Sequence, residues 1–484
     1  MKIAFHGAAQ TVTGSKHLLT LQNGRKILFD CGMFQGMGKQ TDELNASFGF
    51  NANEIDYLLL SHAHIDHCGL VPKLIKEGFS GKIFCTPATK DLASILLEDS
   101  AQIQRDDTRF INKRRAKQGL PPYEPLYTTD DVLAVLPLFS EVQYGEWFTI
   151  EPGIEVLYTD AGHIIGSAAV HARITENGKT HQLSFSGDVG RYGDVILRSP
   201  DVFPQADYII IESTYGNKLH EDVLNTADKL NKWVKKTCVE KKGKLIIPAF
   251  SVGRTQELLY FLNQLSNEKT LPNVPVYVDS PLSMEATDVI KSHPENFNSR
   301  IQKLLRTDND PFDFPQLHFI KSVEESKSLN DRHEPCIIIS ASGMADAGRI
   351  KHHIMNNIGN AQNTILMVGY CEPNSLGGRL MNGQKEVRIF GEEFQVVAEV
   401  GSMRSMSAHG DYDDLCQFLA CQDASKVKQL FVVHGEYDVQ LEFQNRLFKK
   451  GFKDVQVPAM HQEFPLIDYL YNLFDLNFPK QMKK

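Results

Sequence analysis

Over residues 1–210 the chain alternates short apolar runs with turn-forming residues. KHLLTL (16–21), RKILFD (25–30), DYLLLS (56–61), GKIFCT (81–86), IEVLYTD (154–160) and QLSFSGD (182–188) have strand length, and several close on Asp, Ser or Thr. Between them, GLVPKLIKEG (69–78) and ATKDLASILLEDSAQIQ (88–104) carry apolar residues at helical spacing. That pattern predicts an α/β domain with mixed sheets. From about Asn217 the texture changes. The amphipathic VLNTADKLNKWVKKTCVEKKG leads into the strand-like KLIIPAF and the helical GRTQELLYFLNQLS, and VPVYVD, PCIIISA and NTILMVGY are further apolar runs. Alternation of this kind suits βαβ units and a parallel sheet. After about Phe394 short strands return, among them KQLFVVHGE (428–436).

Composition bounds the class without choosing a function. At 484 residues two or three domains are expected, and 42% apolar with 23% charged residues is ordinary for a globular protein. No run approaches eighteen consecutive apolar residues, so no membrane span is expected, and the N-terminus lacks the form of a secretory signal. Eight scattered cysteines without a CxxC read as reduced thiols in a cytoplasmic protein. The net charge of −9 argues against a protein that coats nucleic acid by charge alone. The most cationic stretch, NKRRAKQG (112–119), reads as a solvated helix or loop face.

The chemistry gathers at LLLSHAHIDHCGL (58–70), where His62, His64, Asp66 and His67 fall within six positions behind an apolar run. At an extended strand end residues i and i+2 face the same way, so His62 and His64 can share one ion. Asp66 and His67 follow where the chain turns and can face another. Four ligands with two directions of approach suit two neighbouring metals, zinc above all, with manganese or iron also compatible with imidazole and carboxylate. Elsewhere His163 (TDAGHIIGSA), Asp188 (LSFSGDVGR) and His434 (LFVVHGE) sit at strand ends beside glycines. Together with the first cluster they close two coordination spheres. Asp30 in KILFDCG is suited to hold a ligand imidazole by its other nitrogen. Glu212 (IIIESTYG) ends another apolar strand, and His409 (SMSAHGD) lies among small residues that let a substrate approach.

These residues resemble a known family. HxHxDH followed by His163 and Asp188 resembles the metallo-β-lactamase fold of zinc hydrolases, whose members act on many substrates. Glu212, His409 in SAHGD and His434 in VVHGE look like motifs A, B and C of the β-CASP nucleases. PAFSVGRTQELL, VDSPLS, SASGMADAGRIKHH and GYCEPNSLGGRL resemble the cap segments of that subfamily. The resemblance runs to about Ala459 and is closest to bacterial and archaeal ribonucleases related to the endonuclease of mRNA 3′-end processing; their flanking KH domains are not expected here.

The resemblance implies an αββα sandwich interrupted by an α/β, mainly parallel β-CASP domain: 1–213 and 396–484 the sandwich with its tail, 214–395 the insert. It implies two Zn2+ per chain, with His62, His64 and His163 on one, Asp66, His67 and His434 on the other, and Asp188 bridging. His409, Glu212 and Asp66 would carry catalysis, His409 as general acid. Ser251, Gly253, Arg254, Ser340, Ser342 and Gly343 resemble phosphate-contacting loops. The implied activity is hydrolysis of single-stranded RNA, chiefly endonucleolytic with a 5′-exonuclease mode. Histidine at motif C places the chain with RNA-acting rather than DNA-acting members. A hydrolase of DNA or of small molecules and a non-catalytic scaffold are the alternatives. The apolar tail from His461, with FPLIDYLYNLFDLNF, is suited to dock on its own body or on a second subunit of a homodimer.

Overall fold

The computed structural model describes residues 1–220, 225–307, 310–369, 371–403 and 405–466. Two seven-stranded mixed sheets lie face to face. The first runs in the order Gln462–Pro465, Lys2–Gly7, Lys16–Thr20, Lys26–Phe29, Tyr57–Leu59, Lys82–Cys85, Phe139–Glu141. The second runs Val455–Gln456, Gln429–Val432, Tyr208–Ile211, Lys179–Phe185, Ala168–Glu176, Ile154–Asp160, Phe148–Glu151. In each sheet the half built from hairpins is antiparallel, and the half joined through crossovers is parallel.

Between the sheets lies one apolar layer that includes Ile3, Phe5, Ile27, Phe29, Val156, Tyr158, Phe185 and Phe431. Helices cover both outer faces. On the first sheet, Leu92, Leu96 and Leu97 of the helix Pro87–Lys117 pack over Leu58, Leu60 and Ile83. On the second, Leu415, Phe418, Phe443 and Leu447 pack over Ile209, Ile211, Leu430 and Val432. This is the expected αββα sandwich.

A third sheet of six strands is parallel throughout, in the order Leu317–Phe319, Val276–Val278, Ile337–Ser340, Leu245–Pro248, Thr364–Val368, Glu399–Met403. Its central strands LIIP and IIIS are buried on both faces, which is why they read as unbroken apolar runs. The strand Glu399–Met403 lies beyond the return expected at residue 396, yet it still pairs with Thr364–Val368. It is half-exposed and interrupted by Gly401, over which the Trp233 ring lies. That is a weak strand signature.

The helix Pro87–Lys117 runs past the apolar stretch that announced it. Thr86 caps it by accepting the Thr89 N–H, Pro87 opens it, and the next helix breaker is Gly119. NKRRAKQ therefore continues this helix. Its earlier turns pack against the helix Pro281–Ser292 of the inserted unit. At the same junction His293 Nε2 and the Asp91 carboxylate are 2.8 Å apart. The tail after Leu466, and with it most of the segment expected to dock, lies outside the described residues.

Candidate metal centre and active site

The strand Tyr57–Leu59 delivers its histidines to the edge where the two sheets open. His64 provides the carbonyl that starts the short helix Ile65–Cys68, accepting the N–H groups of His67 and Cys68 at 2.9 Å each. The helix carries Asp66 and His67 into a different donor group from His62 and His64. This is the change of direction that the HxHxDH spacing implied.

Two groups of donors result. His62, His64, His163 and Asp188 form one, and Asp66, His67 and His434 form the other, with donor atoms in each group within 4.8 Å of one another; Asp188, Glu212 and His434 make a third, overlapping set at the same spacing. His64 Nδ1 lies 3.1 Å from His62 Nε2 and 3.2 Å from His163 Nε2. In the second group His434 Nε2 lies 3.2 Å from His67 Nε2 and 3.4 Å from Asp66 Oδ2. Asp188 stands between the groups. Its Oδ2 is 3.5 Å from both His62 Nε2 and His163 Nε2, and its Oδ1 is 3.3 Å from His67 Nε2.

The far ring nitrogens of His62, His67, His163 and His434 are occupied. His67 Nδ1 donates to Asp30 Oδ2 at 2.6 Å, and His62 Nδ1 meets Ser61 Oγ at 3.0 Å, which itself donates to Asp30 at 2.8 Å. His163 Nδ1 donates to the Ala408 carbonyl at 3.1 Å and His434 Nδ1 to Thr214 Oγ1 at 3.1 Å. These bonds select the tautomers that turn the lone pairs inward.

Such a cluster fits divalent cations and little else. Buried imidazole nitrogens face one another at about van der Waals contact, and Asp188 Oδ1 is buried with no hydrogen bond among the described residues. Burial above all holds His62 and His163 well below the ordinary imidazole range, so both are neutral, as ligation requires. Burial also works to raise Asp188, but His434, His67 and His409 outweigh it and keep its carboxylate ionised. Asp66 is likewise drawn down to about 2: burial opposes this, and the hydrogen bond with His434 leads it.

The loops that bear Asp188 and His163 meet through a glycine. Gly190 N–H donates to the Ala161 carbonyl at 2.8 Å. A Cβ on Gly190 would lie 1.8 Å from the Gly162 carbonyl oxygen and 2.7 Å from the His163 nitrogen. Any other residue here would push Asp188 and His163 apart.

His409 closes the rim. Its Nδ1 donates to Glu212 Oε1 at 3.1 Å and lies 3.8 Å from Asp188 Oδ2, and its side chain is 20% exposed. Glu212 is fully buried, and its carboxylate also accepts the N–H groups of Val189 and Thr214 at 2.9 Å each. Burial opposes the charged form of His409, yet Glu212, then Asp188, outweigh it and raise its pKa to about 9. Cations in the adjoining cluster would draw that value back down.

Comparison with known proteins matches three family models along the chain. Residues 17–231 match the metallo-β-lactamase superfamily, 255–380 the Beta-Casp domain, and 393–458 a zinc-dependent metallo-hydrolase RNA specificity domain. A protein named Ribonuclease TTHA0252 from Thermus thermophilus is 34% identical over 451 residues, covering 93% of this chain and 97% of the relative. The chain belongs to the β-CASP ribonuclease family. An RNase J-like protein from Methanocaldococcus jannaschii is 30% identical over 92% of this chain and 95% of its own length. The transcription termination factor FttA from Methanosarcina mazei is 31% identical over 93% of this chain and 69% of the factor.

The β-CASP loops expected to contact phosphate lie after the parallel strands Leu245–Pro248 and Ile337–Ser340. Gly253 comes nearest the metal centre: a Cβ on it would lie 3.5 Å from Ile164, next to His163. Several of their donors are already engaged. Gly253 N–H donates to Gln256 Oε1 at 2.7 Å, and Ser340 Oγ to the Asp279 carbonyl at 2.8 Å. Arg254 is not the open fork that the sequence reading drew. It is 5% exposed, and its Nη1 is bonded to Glu257 one turn along the same helix, which commits it to the junction. Among the described residues the Ser251 and Ser342 hydroxyls make only long contacts of 3.4 Å, to Ser280 Oγ and to Ala347, and Gly343 packs beneath the Phe250 ring.

Sequence reasoning missed Ser61, Thr214 and His220. Ser61 and Thr214 hold histidines of the two donor groups, as above. His220 Nε2 donates to the His409 carbonyl at 2.9 Å, and its own N–H is held by Asp411 at 2.9 Å. A hydroxyl beside an acid or a ligand was the available sign for the first two. Nothing in GNKLH marks His220.

Proposed function

We propose that this protein is a zinc-dependent ribonuclease. It hydrolyses phosphodiester bonds of single-stranded RNA, chiefly within the strand and with a 5′-exonuclease mode, leaving 5′-phosphate and 3′-hydroxyl ends. The observation that carries this reading is the divided donor cluster about Asp188 with His409, backed by Glu212, at its open rim. The similarity to a ribonuclease and to an RNase J-like protein supports RNA as substrate. All eight cysteines are unpaired, which supports a reducing, cytoplasmic setting.

His62, His64 and His163 would hold one ion, and Asp66, His67 and His434 the other, with Asp188 shared. Zinc suits the histidine-rich set best, and manganese also binds such donors. Two bound ions would supply hydroxide at neutral pH and neutralise charge on the phosphoryl oxygens. The chain contributes the rest. His409 holds a proton on Nε2, the ring nitrogen turned away from Glu212, and delivers it to the departing 3′-oxygen. Glu212 orients the ring and favours its charged form. Asp66, the ligand carboxylate with 22% side-chain exposure, is placed to take a proton from a water in the cleft. The RNA would lie between the sandwich and the unit 214–395, with Ser251, Ser342 and Gly343 towards its phosphates.

The test is a zinc-supplemented assay on single-stranded RNA labelled at either end, with end-group analysis and metal content measured on the same preparation. About two zinc ions per chain and internal cuts bearing 5′-phosphates are expected. Intact RNA in the presence of two bound ions would overturn the reading. Release of mononucleotides alone, from the 5′ end, would replace the endonuclease emphasis.

A further inference from the structure

The basic segment that the sequence presents as a solvated face acquires a shape in the fold. Because the helix Pro87–Lys117 continues to Lys117, Arg105, Arg109, Lys113 and Lys117 recur every fourth residue. Each such step turns about 40° around the axis, so the four form one slowly winding stripe, about 18 Å long and spanning about 120° of the helix surface. Phe110 and Arg114 flank it. Phe110 is 68% exposed, with Lys113 and Arg114 one turn on and Asp106 and Asp107 one turn back. Between 105 and 117 there are six cations against two acids, in a chain whose net charge is −9.

The opposite face of the same turns is occupied. Asn112 exchanges two hydrogen bonds with the Tyr123 backbone at 2.7 and 3.0 Å, Gln104 accepts the Leu126 N–H at 3.1 Å, and Arg115 donates to the Pro121 carbonyl at 2.6 Å. The segment 119–127 thus covers one side and leaves the stripe outward. Among the described residues Lys113, Arg114 and Lys117 have no acidic partner. Arg109 and Arg105 share Asp106, at 3.5 and 4.0 Å, in exposed pairs that yield readily to a better anion.

The helix also has an origin that matters. Thr86 Oγ1 and Thr89 Oγ1 both donate to the Gly166 carbonyl, at 2.7 and 2.8 Å, in the loop that carries His163. The stripe therefore begins about 27 Å along a rigid rod anchored at the metal centre.

We propose that this outer face is a second RNA-binding surface, an exosite that holds single-stranded RNA by phosphate contacts and by a base stacked on Phe110, away from the scissile bond. It rests on the ribonuclease reading and extends it. Regularly spaced cations beside an exposed aromatic are the elements with which proteins hold single strands without reading sequence. A second copy of this chain is a poor occupant, because a two-fold contact would set the stripe against itself.

The exosite predicts a dependence on RNA length. Binding is measured with full-length protein carrying His409→Ala, so that RNA is not consumed, on labelled strands of ~5 and ~30 nucleotides. The comparison protein adds R105Q, R109Q, K113Q and K117Q, which remove charge and keep helix-forming residues. The long RNA should bind the unmodified stripe at least ten-fold more tightly, and the short RNA equally in both. The slope of log affinity against log salt should fall by up to about 2.8 if each cation meets one phosphate. F110A alone should weaken long-RNA binding about ten-fold. With His409 intact, the four-glutamine protein should cut the short RNA at the wild-type rate. Unchanged long-RNA affinity in the stripe variant overturns the proposal. So does a change in sedimentation with RNA binding unaltered, which would assign the face to a protein contact. Stripe-dependent binding by a protein that cuts no RNA would refute the ribonuclease reading and leave the exosite standing.

Discussion

Replacing His409 by alanine separates proton donation from metal binding, because the ring touches the centre without completing either donor group. It lies 3.8 Å from Asp188 Oδ2 through the nitrogen that Glu212 already holds at 3.1 Å. The variant should keep both ions. General acids contribute about 10²–10⁴ in rate, or roughly 3–5 kcal/mol of barrier, and the loss should appear in kcat. Glu212→Gln is the milder test. Its amide oxygen can still accept from His409, but the negative charge is gone. A unit charge pair at that distance is worth at most about 5 kcal/mol at an effective dielectric constant of 20, and exposure reduces this. A loss between ten-fold and a hundred-fold is expected, with some stability lost because the new NH2 group confronts the Thr214 N–H that Glu212 now accepts at 2.9 Å. The decisive assay changes the leaving group. RNA with sulfur in place of the bridging 3′-oxygen departs without a proton. His409→Ala should therefore cleave it within about ten-fold of wild type while failing on ordinary RNA. Equal losses on both substrates, with metal content intact, would refute proton donation by His409.

Three further outcomes test the supports of the centre. Gly190→Ala, which touches no ion, should lower bound metal below two equivalents and abolish most activity, since its Cβ must displace the Gly162 carbonyl 1.8 Å away; metal analysis of the purified variant decides it. Asp30→Asn should weaken metal affinity by about 10–100-fold in a chelator competition, because Asp30 accepts from both His67 and Ser61. His171 lies away from the donor groups, between Thr159 and Ser184 hydroxyls at 2.9 Å, and burial lowers its pKa to about 3. The unfolded chain binds that proton near 6.5, so the stability linked to a neutral His171 is present above about pH 6.5 and is lost as pH falls towards 3. Between about pH 7 and pH 4 wild type should lose about 3 kcal/mol more than His171→Gln in urea unfolding. Parallel losses would show that His171 does not titrate as its burial demands.

The elements legible in sequence were those whose environment is uniform along their length. LIIP and IIIS are covered on both faces, and KHLLT and IEVLYTD are buried along most of their length. Glu399–Met403 escaped because its burial is partial and its glycine is a packing site for Trp233, a fact of tertiary structure. The extent of the helix Pro87–Lys117 escaped for the opposite reason. Its later turns have no core to bury, so they carry no apolar period, although the sequence from Gln104 to Lys117 contains neither Gly nor Pro. Arg254 looked like an anion fork because its residue type is suited to one. Its burial depends on Glu257 and on a junction that no local pattern announces.

The metal centre shows why local and distant signals carry different information. His62, His64, Asp66 and His67 lie within six residues, and a single change of direction, from extended strand to helix, splits them between two groups. That much follows from spacing. Their assignment to particular partners does not, because His163, Asp188 and His434 arrive on separate strands, and only the second sheet's order brings 185, 211 and 432 side by side. The histidine proposed as proton donor is more remote still: His409 is held by Glu212, 197 positions earlier, and by His220, 189 positions earlier. A cluster of neighbours can bind an ion on its own, since each member needs only a lone pair turned inward. Delivering a proton to a chosen oxygen requires a residue held at the rim by both ring and backbone, and here Glu212 at a strand end and His220 in the loop after it, both remote from His409 in sequence, do the holding. Substituting His220 should accordingly leave metal content unchanged and disturb kcat through the position of the His409 backbone.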